Sequence, residues 1–498
     1  MRPLSKYPIS SFYSRASIIT LGTLFSTTSF AQPWIEPNDI HLRSDIQYLA
    51  STGVITTPVT TYPLMWSGII SSIESNKSQA QSEHEQAAIQ RIEKKYQASQ
   101  TSTTTASVGI SSEPTRFHHF DTPVREEGQL QASHANHSTL WAYKAAVTAY
   151  QDPSDEEDIR FTDSYVAFLP GNWVISAGYQ KQWSGPGWDT TLLQSTNAHP
   201  LPGISLTRNN PEAFDIPVLK WLGPWTLTTT VSRMDDERHI DNALLWTTRA
   251  SFRPHKNLEI GAGRSAQLCG DDKDCGLSAW SDTFSGDTNV TSGENPANQI
   301  GHVDLRWSDT AWETPYSVYF ESAGEDAIRL ERYPPFQAKS YIFGLDTSYA
   351  LADQWITTFV EYSETMATCN SVFNCTYEHS AYKTGYRYHS RTIGSTYDND
   401  ANTYTLGFIG QSLTRDHQWR MNVRYLELNK DDSNTNTQYG GGNSIAPIAE
   451  NAYNIDASYA FPALQGTVEL GVDYMTSEYT SASDDDQFTF WSNVSWVL

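Results

Sequence analysis

The chain has 498 residues, a mean hydropathy of −0.50, 38% hydrophobic and 12% aromatic residues, and a formal net charge of −24. Such an acid excess argues against nucleic acid as a partner, since phosphate backbones are held by clustered Lys and Arg. After the N-terminus nothing approaches the ~20 consecutive apolar residues of a membrane helix. Soluble β domains remain, and so do barrels, which turn only alternate side chains to lipid. The 16 Trp, 27 Tyr and 19 Phe suit interfacial girdles and carbohydrate-binding sandwiches equally.

Residues 1–31 read as a secretory signal. Arg2, Lys6 and Arg15 make a basic start, Ile18–Phe25 is a short apolar run, and Ser29-Phe-Ala31 fits a small-x-small cleavage site. Its removal takes away three cations and no acid, so the mature chain is more negative still. Three short amphipathic helices follow. Asn38 or Asp39 caps the first, which carries Leu42, Ile46 and Leu49 on one face and stops at Gly53. The second starts after Pro63 with Trp66, Ile69, Ile70 and Ile73, and the third spans about Ser82 to Gln97 with Ala88, Ile89, Ile92 and Tyr96. Helices this short need a partner surface. A Ser/Thr-rich run, Ser99–Thr105, leads into the β region.

From there short and long connectors alternate. Strands are expected at Ala106–Ile110, Leu130–Ala135, Leu140–Tyr150, Ile159–Leu169, Trp173–Trp183 and Ile216–Leu222. Short turns are expected at Asn136–Ser138, Pro170–Asn172, Gly223-Pro224, Pro254-His255, Ser308-Asp309, Ala352-Asp353, Arg415-Asp416 and Pro462-Ala463. Long segments lie between them, among them the acidic Asp152–Asp158 and residues 268–298, 364–401 and 429–450. The count is eighteen strands, nine long connections and eight short turns, with both ends on the short-turn side. An even count with loops sorted by length is the pattern of an outer-membrane β-barrel, and a soluble sandwich has no reason to sort them. The last strand alternates: Phe488, Phe490, Val494, Trp496 and Leu498 share one face, and Thr489, Asn493 and Ser495 the other, with Trp491 and Val497 as exceptions.

The four cysteines form two Cys-x5-Cys pairs, Cys269/Cys275 and Cys369/Cys375, both in long segments. Even number, close spacing and a secretory signal favour two local disulfides over a zinc site. No Gly-x-Ser-x-Gly, His-Glu-x-x-His or phosphate-binding Gly-rich loop is present, so no catalytic residue, metal site or cofactor is assigned.

The unusual stretches are Phe161–Gly178, Gln182–Asn209 with its Trp183-Ser-Gly-Pro-Gly-Trp188-Asp189 core, and Tyr382–Asp400. With Pro114–Phe117 and Thr122–Gly128, they resemble the Wzi capsule-assembly family over essentially the whole mature chain. The resemblance implies an eighteen-stranded antiparallel barrel (residues 100–498) in a Gram-negative outer membrane, with a helical bundle (32–99) near its periplasmic mouth. It implies a lectin that helps attach capsular polysaccharide to the cell, not the exporter or the polymerase. Capsular or other surface polysaccharide and lipopolysaccharide or outer-membrane lipid are the expected partners, and a monomer is the expected state. The rival expectation is a porin-like channel for oligosaccharides or other solutes, whose long loops leave an open pore.

Candidate polysaccharide contacts are Trp183, Trp188, Asp189, Arg116, Arg387, Tyr388 and Arg391. An indole plane suits the C–H face of a sugar, and the guanidinium fork suits its carboxylates. Each has a plainer alternative. The two tryptophans can pack a loop base or a girdle, while Gly185, Pro186 and Gly187 allow the segment to fold into the lumen. Arg387 and Arg391 can form internal salt bridges with Asp398 or Asp400, and Arg116 and Arg125 invite the same two alternatives. The acidic runs Asp152–Asp158 and Asp484–Asp486 are either solvated or places for divalent cations.

Overall fold

The computed structural model describes residues 32–236, 238–285, 297–325, 340–366, 368–369, 372–373, 375–432 and 442–498. The signal segment therefore lies outside the described residues. Three helices come first: α1 (Ile40–Ser51), α2 (Trp66–Asn76) and α3 (Glu83–Ser99). Asp39 caps α1 by accepting from the Leu42 amide, and Ser82 with Glu85 forms a capping box on α3. No helix among the described residues is long and apolar enough to cross a membrane.

The β region closes into an antiparallel barrel of eighteen strands among the described residues. In chain order they are β1 (Thr103–Ser111), β2 (Gly128–His137), β3 (Trp141–Gln151), β4 (Ile159–Arg160 continuing as Tyr165–Phe168), β5 (Trp173–Tyr179) and β6 (Pro202–Arg208). Then come β7 (Trp225–Arg233), β8 (Leu244–His255), β9 (Leu258–Leu268), β10 (Asn298–Ala311), β11 (Thr314–Glu325) and β12 (Ser340–Leu351). The last six are β13 (Gln354–Glu364), β14 (Asn402–Ser412), β15 (Gln418–Leu428), β16 (Glu450–Ala463), β17 (Gly466–Tyr479) and β18 (Asp485–Val497). Closure is the pairing of β18 with β1, Val494 opposite Val108 and Trp496 opposite Ala106. A closed ladder leaves no unpaired edge, the condition for strands in hydrocarbon.

Side-chain polarity is inverted relative to a soluble protein. On β16, Tyr453, Ile455 and Tyr459 point out and are exposed, whereas Asn454, Asp456 and Ser458 point in and are buried. On β18, Phe488 and Phe490 point out, and Thr489 and Trp491 point in, so the Trp491 exception is a lumen-facing ring. The interior holds ion pairs such as Arg249–Asp304 and Arg306–Asp346. Apolar outside and polar inside is the pattern of a membrane-spanning barrel.

Residues 216–222 are not a strand. The chain returns from the long-loop side on β6, and 209–224 connects it to β7, ending in a 3-10 turn at Lys220–Leu222. Alternating apolar residues there suggested a strand, but Ile216, Val218 and Trp221 are all exposed. This connector is long because it embraces α2: Ser67 Oγ donates to Asn209 O at 2.6 Å, and Gly68 lies so near Pro211 that a Cβ would stand 2.7 Å from its ring. Similarly, β5 ends at Tyr179 and not Trp183, because residues after 179 leave the wall for the lumen.

The helices meet the short-turn end. The whole of α1 from Leu42 to Ala50 is buried. Ser44 Oγ lies 2.7 Å from Thr357 Oγ1 and Ser51 Oγ 3.1 Å from Ser317 Oγ, both on the inner wall. Arg91 of α3 forks onto Asp45 of α1 at 2.7 and 2.8 Å, and Gln411 of β14 donates to the same carboxylate. A helix with polar groups on several sides fits here because the wall it meets is polar.

Candidate functional site

Two places collect the candidate residues: the lumen segment 180–201 and the long-loop mouth. The lumen segment leaves β5 and first adds a two-residue ladder to the N-terminal region, Trp183 opposite Tyr62 and Ser184 opposite Thr61. It then crosses the barrel on two wall carboxylates. Glu361 accepts from the amides of Trp188 (2.7 Å), Asp189 (3.2 Å) and Thr190 (3.0 Å). Glu321 accepts from the amides of Gly187 (2.9 Å) and Leu192 (3.1 Å) and from Thr191 Oγ1 (3.0 Å). These bonds satisfy amides that no sheet or helix reaches. The glycines earn their place by close approach: at Gly185 (φ +156) a Cβ would meet the Glu321 carboxylate at 2.2 Å.

Arg43 of α1 locks the segment from below. It donates to the carbonyls of Pro186 (3.0 Å) and Gly187 (2.6 Å). Its guanidinium lies over the rings of Trp188 (4.5 Å), Phe120 (4.7 Å) and Trp183 (5.3 Å). Trp183 is 0% and Trp188 3% exposed. Trp188 stacks on Phe359 and donates Nε1–H to Asp346 at 3.1 Å. Both indoles are thus packing groups of the plug, and neither offers a face to solvent in this conformation.

Asp189 is the plug's electrostatic centre. Arg424 reaches its Oδ1 with Nε (3.0 Å) and Nη2 (2.8 Å), Thr405 donates at 2.9 Å, and Tyr397 donates through a short hydroxyl bond. Burial pushes the Asp189 carboxyl up, but Arg424, His119 and Tyr397 more than reverse this and hold it at about 2. His119, 3.5 Å from that carboxylate, is pulled down to about 4 by burial and by Arg424, against the opposing pull of Asp189. The imidazole is neutral at pH 7, and its Nδ1 lies 3.0 Å from the Asp189 carbonyl.

The mouth is built from the long connections 112–127 and 152–158 and the described residues of 365–401 and 429–449. Arg387 is fully buried and forks onto Asp398 at 2.8 Å through both Nε and Nη2, with Glu378 at 2.7 Å. Asp398 is held below the usual carboxylate range because Arg387 outweighs its burial. This is the internal salt bridge that orders the loop. Tyr388 is buried too, edge-on to His389 at 4.4 Å. Arg116 pairs with Glu450 (2.6 and 2.8 Å) and donates to Ile445 O. Arg391 is different: half-buried, it donates to Arg116 O at 2.7 Å and takes part in no ion pair among the described residues. Burial and the neighbouring Arg125 and Arg116 bring Arg391 down to about 10 against the opposing pull of Glu126 and Asp155, which leaves it cationic at pH 7. Arg125 spends its donors on the carbonyls of Thr196 (2.5 Å) and Asn197 (3.2 Å).

The Cys269–Cys275 disulfide is present in the long connection after β9. Cys375 is disulfide-bonded as well, and the Cys369 side chain lies outside the described residues. Among the described residues no cluster of His, Cys, Asp and Glu is arranged to hold a metal ion.

The residues that sequence reasoning missed are Arg43, Glu321, Glu361 and Arg424. The three on strands occupy inward positions of the period-two alternation, a signal shared by every inward residue. Arg43 sits beside the apolar stripe of α1, where nothing marks it.

The family model for capsule assembly protein Wzi matches residues 96–490. A Klebsiella pneumoniae protein described as an uncharacterized 55.8 kDa protein in the cps region is 25% identical over 351 residues, 70% of this chain and 68% of the relative. The solved Escherichia coli Wzi is described as an outer-membrane, carbohydrate-binding β-barrel involved in group 1 capsule assembly. It is 20% identical, with a TM-score of 0.80 over 93% of this chain and 99% of that one. The chain belongs to the Wzi family of capsule assembly proteins.

Proposed function

We propose that this outer-membrane barrel binds an acidic surface polysaccharide at its long-loop mouth and holds capsule at the cell. The observation that carries it is the half-buried Arg391 guanidinium, with Arg116 and Arg125 beside it: Glu126 and Asp155 act on it through space, but among the described residues no carboxylate pairs with it directly. In an acidic protein, a cation at a mouth without a direct ion-pair partner suits a carboxylate or other anion of a polymer. Many weak contacts along one polymer give retention without a tight single site. Trp183, Trp188, Asp189 and Arg387 act in this proposal as positioning residues: they set the plug and loop on which the mouth rests. Tyr388 supports the same loop. The chain is read as a binder and not as an enzyme.

The channel alternative is disfavoured by two bodies in the lumen, α1 and the 180–201 segment, both tied to the wall. In a planar bilayer the wild-type protein is expected to pass no steady current, and the combined Glu321→Ala, Glu361→Ala variant to gain conductance. For the attachment proposal, a deletion strain complemented with wild type or Arg391→Ala is assayed for polymer on cells and in medium. Release of polymer to the medium in both the deletion and Arg391→Ala strains is expected. Polymer that stays cell-bound at the normal level in the deletion strain ends the proposal.

A further inference from the structure

The connector 209–224 joins β6 to β7 at the short-turn end and packs against the outside of the wall. Thr228, Thr230 and Ser232 of β7 are buried inward, so Trp225, in the opposite phase, points outward. Phe214 of the connector stacks on this indole, with ring centroids 4.5 Å apart and planes 12° from parallel. Arg208, in the outward phase of β6, lays its guanidinium 3.9 Å from the same ring. Trp225 stacks in turn beside Phe252, its cross-strand partner on β8. The Trp225 amide donates to Pro211 O at 3.1 Å, and a Cβ at Gly223 (φ +68) would collide with Arg253 O. Both ends of the connector are thus fixed to the wall.

Between these fixed points the chain turns apolar side chains away from the protein. Ile216 is 56%, Val218 75% and Trp221 66% exposed, three large apolar groups within six residues. Ile216 O accepts from the amides of Leu219 and Lys220, both at 2.9 Å, which curls the segment into its 3-10 turn. Asp215 and Lys220 are exposed among them. Such a cluster is costly in water. A membrane boundary accepts it, with apolar groups at the acyl chains and a Lys ammonium reaching back to the headgroups. Short turns of such barrels face the periplasm. Phe214 stands at the level of Trp225, the first residue of β7, so the segment lies where the wall meets the periplasmic leaflet.

We propose that residues 214–222 form an interfacial anchor, with Ile216, Val218 and Trp221 seated in the phospholipid of the periplasmic leaflet and Lys220 at its phosphates. The occupant follows from continuity: Phe214, Trp225 and Phe252 carry the lipid-facing surface of the wall directly onto the segment. The same connector holds α2 through Ser67 and Gly68, so the anchor ties the helical region to the membrane. The proposal uses the membrane orientation alone and stands or falls separately from polysaccharide binding at the mouth.

The test uses the full barrel in nanodiscs of phosphatidylethanolamine and phosphatidylglycerol, open to water on both faces, with a nitroxide on Val218→Cys. Ile204→Cys, on the exposed outer face of β6, is the lipid standard, and Glu74→Cys, exposed on α2, the aqueous standard. Wild type treated with the label gives the background. Collisions with oxygen relative to those with a water-soluble nickel chelate are expected to be as high at 218 as at 204, and several-fold lower at 74. A ratio at 218 equal to that at 74 overturns the seat. Shielding from both reagents means that protein covers the face, and overturns it as well. Trypsin tests the anchor without a label. Cleavage after Lys220 in nanodiscs is expected to be several-fold faster in the combined Ile216→Ser, Val218→Ser variant than in the wild type, and equal rates overturn the anchoring role. Heat-modifiable gel mobility checks that each variant is folded.

Discussion

The lumen segment and the long-loop mouth use the same residue types to opposite ends. In the segment, Trp183, Trp188 and Asp189 are enclosed, and the side chains of Trp188–Thr191 find partners on the wall, on α1 or on the loop 395–397. At the mouth, Arg116 is partly exposed beside its partner Glu450, and among the described residues Arg391 keeps its charge without a direct ion pair, Glu126 and Asp155 acting on it only through space. The difference teaches that the most distinctive motif of the chain serves its architecture. A segment that crosses a polar lumen needs an unusual sequence, because each amide must find an acceptor and each turn must clear a side chain. A surface that binds a polymer by many weak contacts needs no such motif.

The comparison can be broken most directly at Asp189. Asp189→Ala leaves the buried Arg424 with Asp456 as its remaining carboxylate, and losing one partner of a buried pair costs roughly 3–5 kcal/mol. Urea unfolding of the barrel in micelles should show a loss of that order. A loss under about 1 kcal/mol would mean that the plug is not held as described.

Acidification should act next. The ordinary imidazole value is 6.5 and the folded protein holds His119 at about 4. Between these values the unfolded chain binds more protons, so stability falls as pH drops from about 6.5 to 4. At ~1.4 kcal/mol per pH unit the largest loss is roughly 3 kcal/mol. His119→Gln is expected to flatten this part of the stability curve. An unchanged slope in the variant would assign the acid sensitivity to other groups.

Gly185→Ala places a Cβ against Glu321 and should destabilise by about 1–3 kcal/mol, the range of overpacking in a filled interior. Thermal unfolding checks it, and a neutral result would show that the Glu321 contact yields easily. The smallest stability effect is expected at the mouth. Arg391→Ala should change stability by less than about 0.5 kcal/mol while releasing polymer from cells. If the variant is both stable and fully retentive, the contrast between the two regions loses its functional half.

Much of this architecture was legible from the chain. Period-two alternation, loops sorted by length and the terminal Phe488–Trp496 face specified a barrel, since only alternate residues can face lipid. Asp39, Ser82 and the apolar spacing of Ile69, Ile70 and Ile73 specified three helices, because capping and a 3.6-residue period are local properties. Where apolar residues alternated without a wall to join, as at Ile216–Leu222, the same rule misled: a period of two records side-chain spacing, and only pairing makes a strand.

Local pattern also picked out Trp183–Asp189 and Arg387 as unusual, and the resemblance to the Wzi family pointed to capsule. What the tertiary structure alone decided is which way those residues face. Arg43, Glu321, Glu361 and Arg424 lie 129 to 235 positions from their partners in the chain, or 143 and 144 for Arg43. No local spacing links an inward carboxylate on one strand to the amides of a loop from another. Closing the barrel brings them together, and in doing so it turns two tryptophans inward and leaves Arg391 at the mouth.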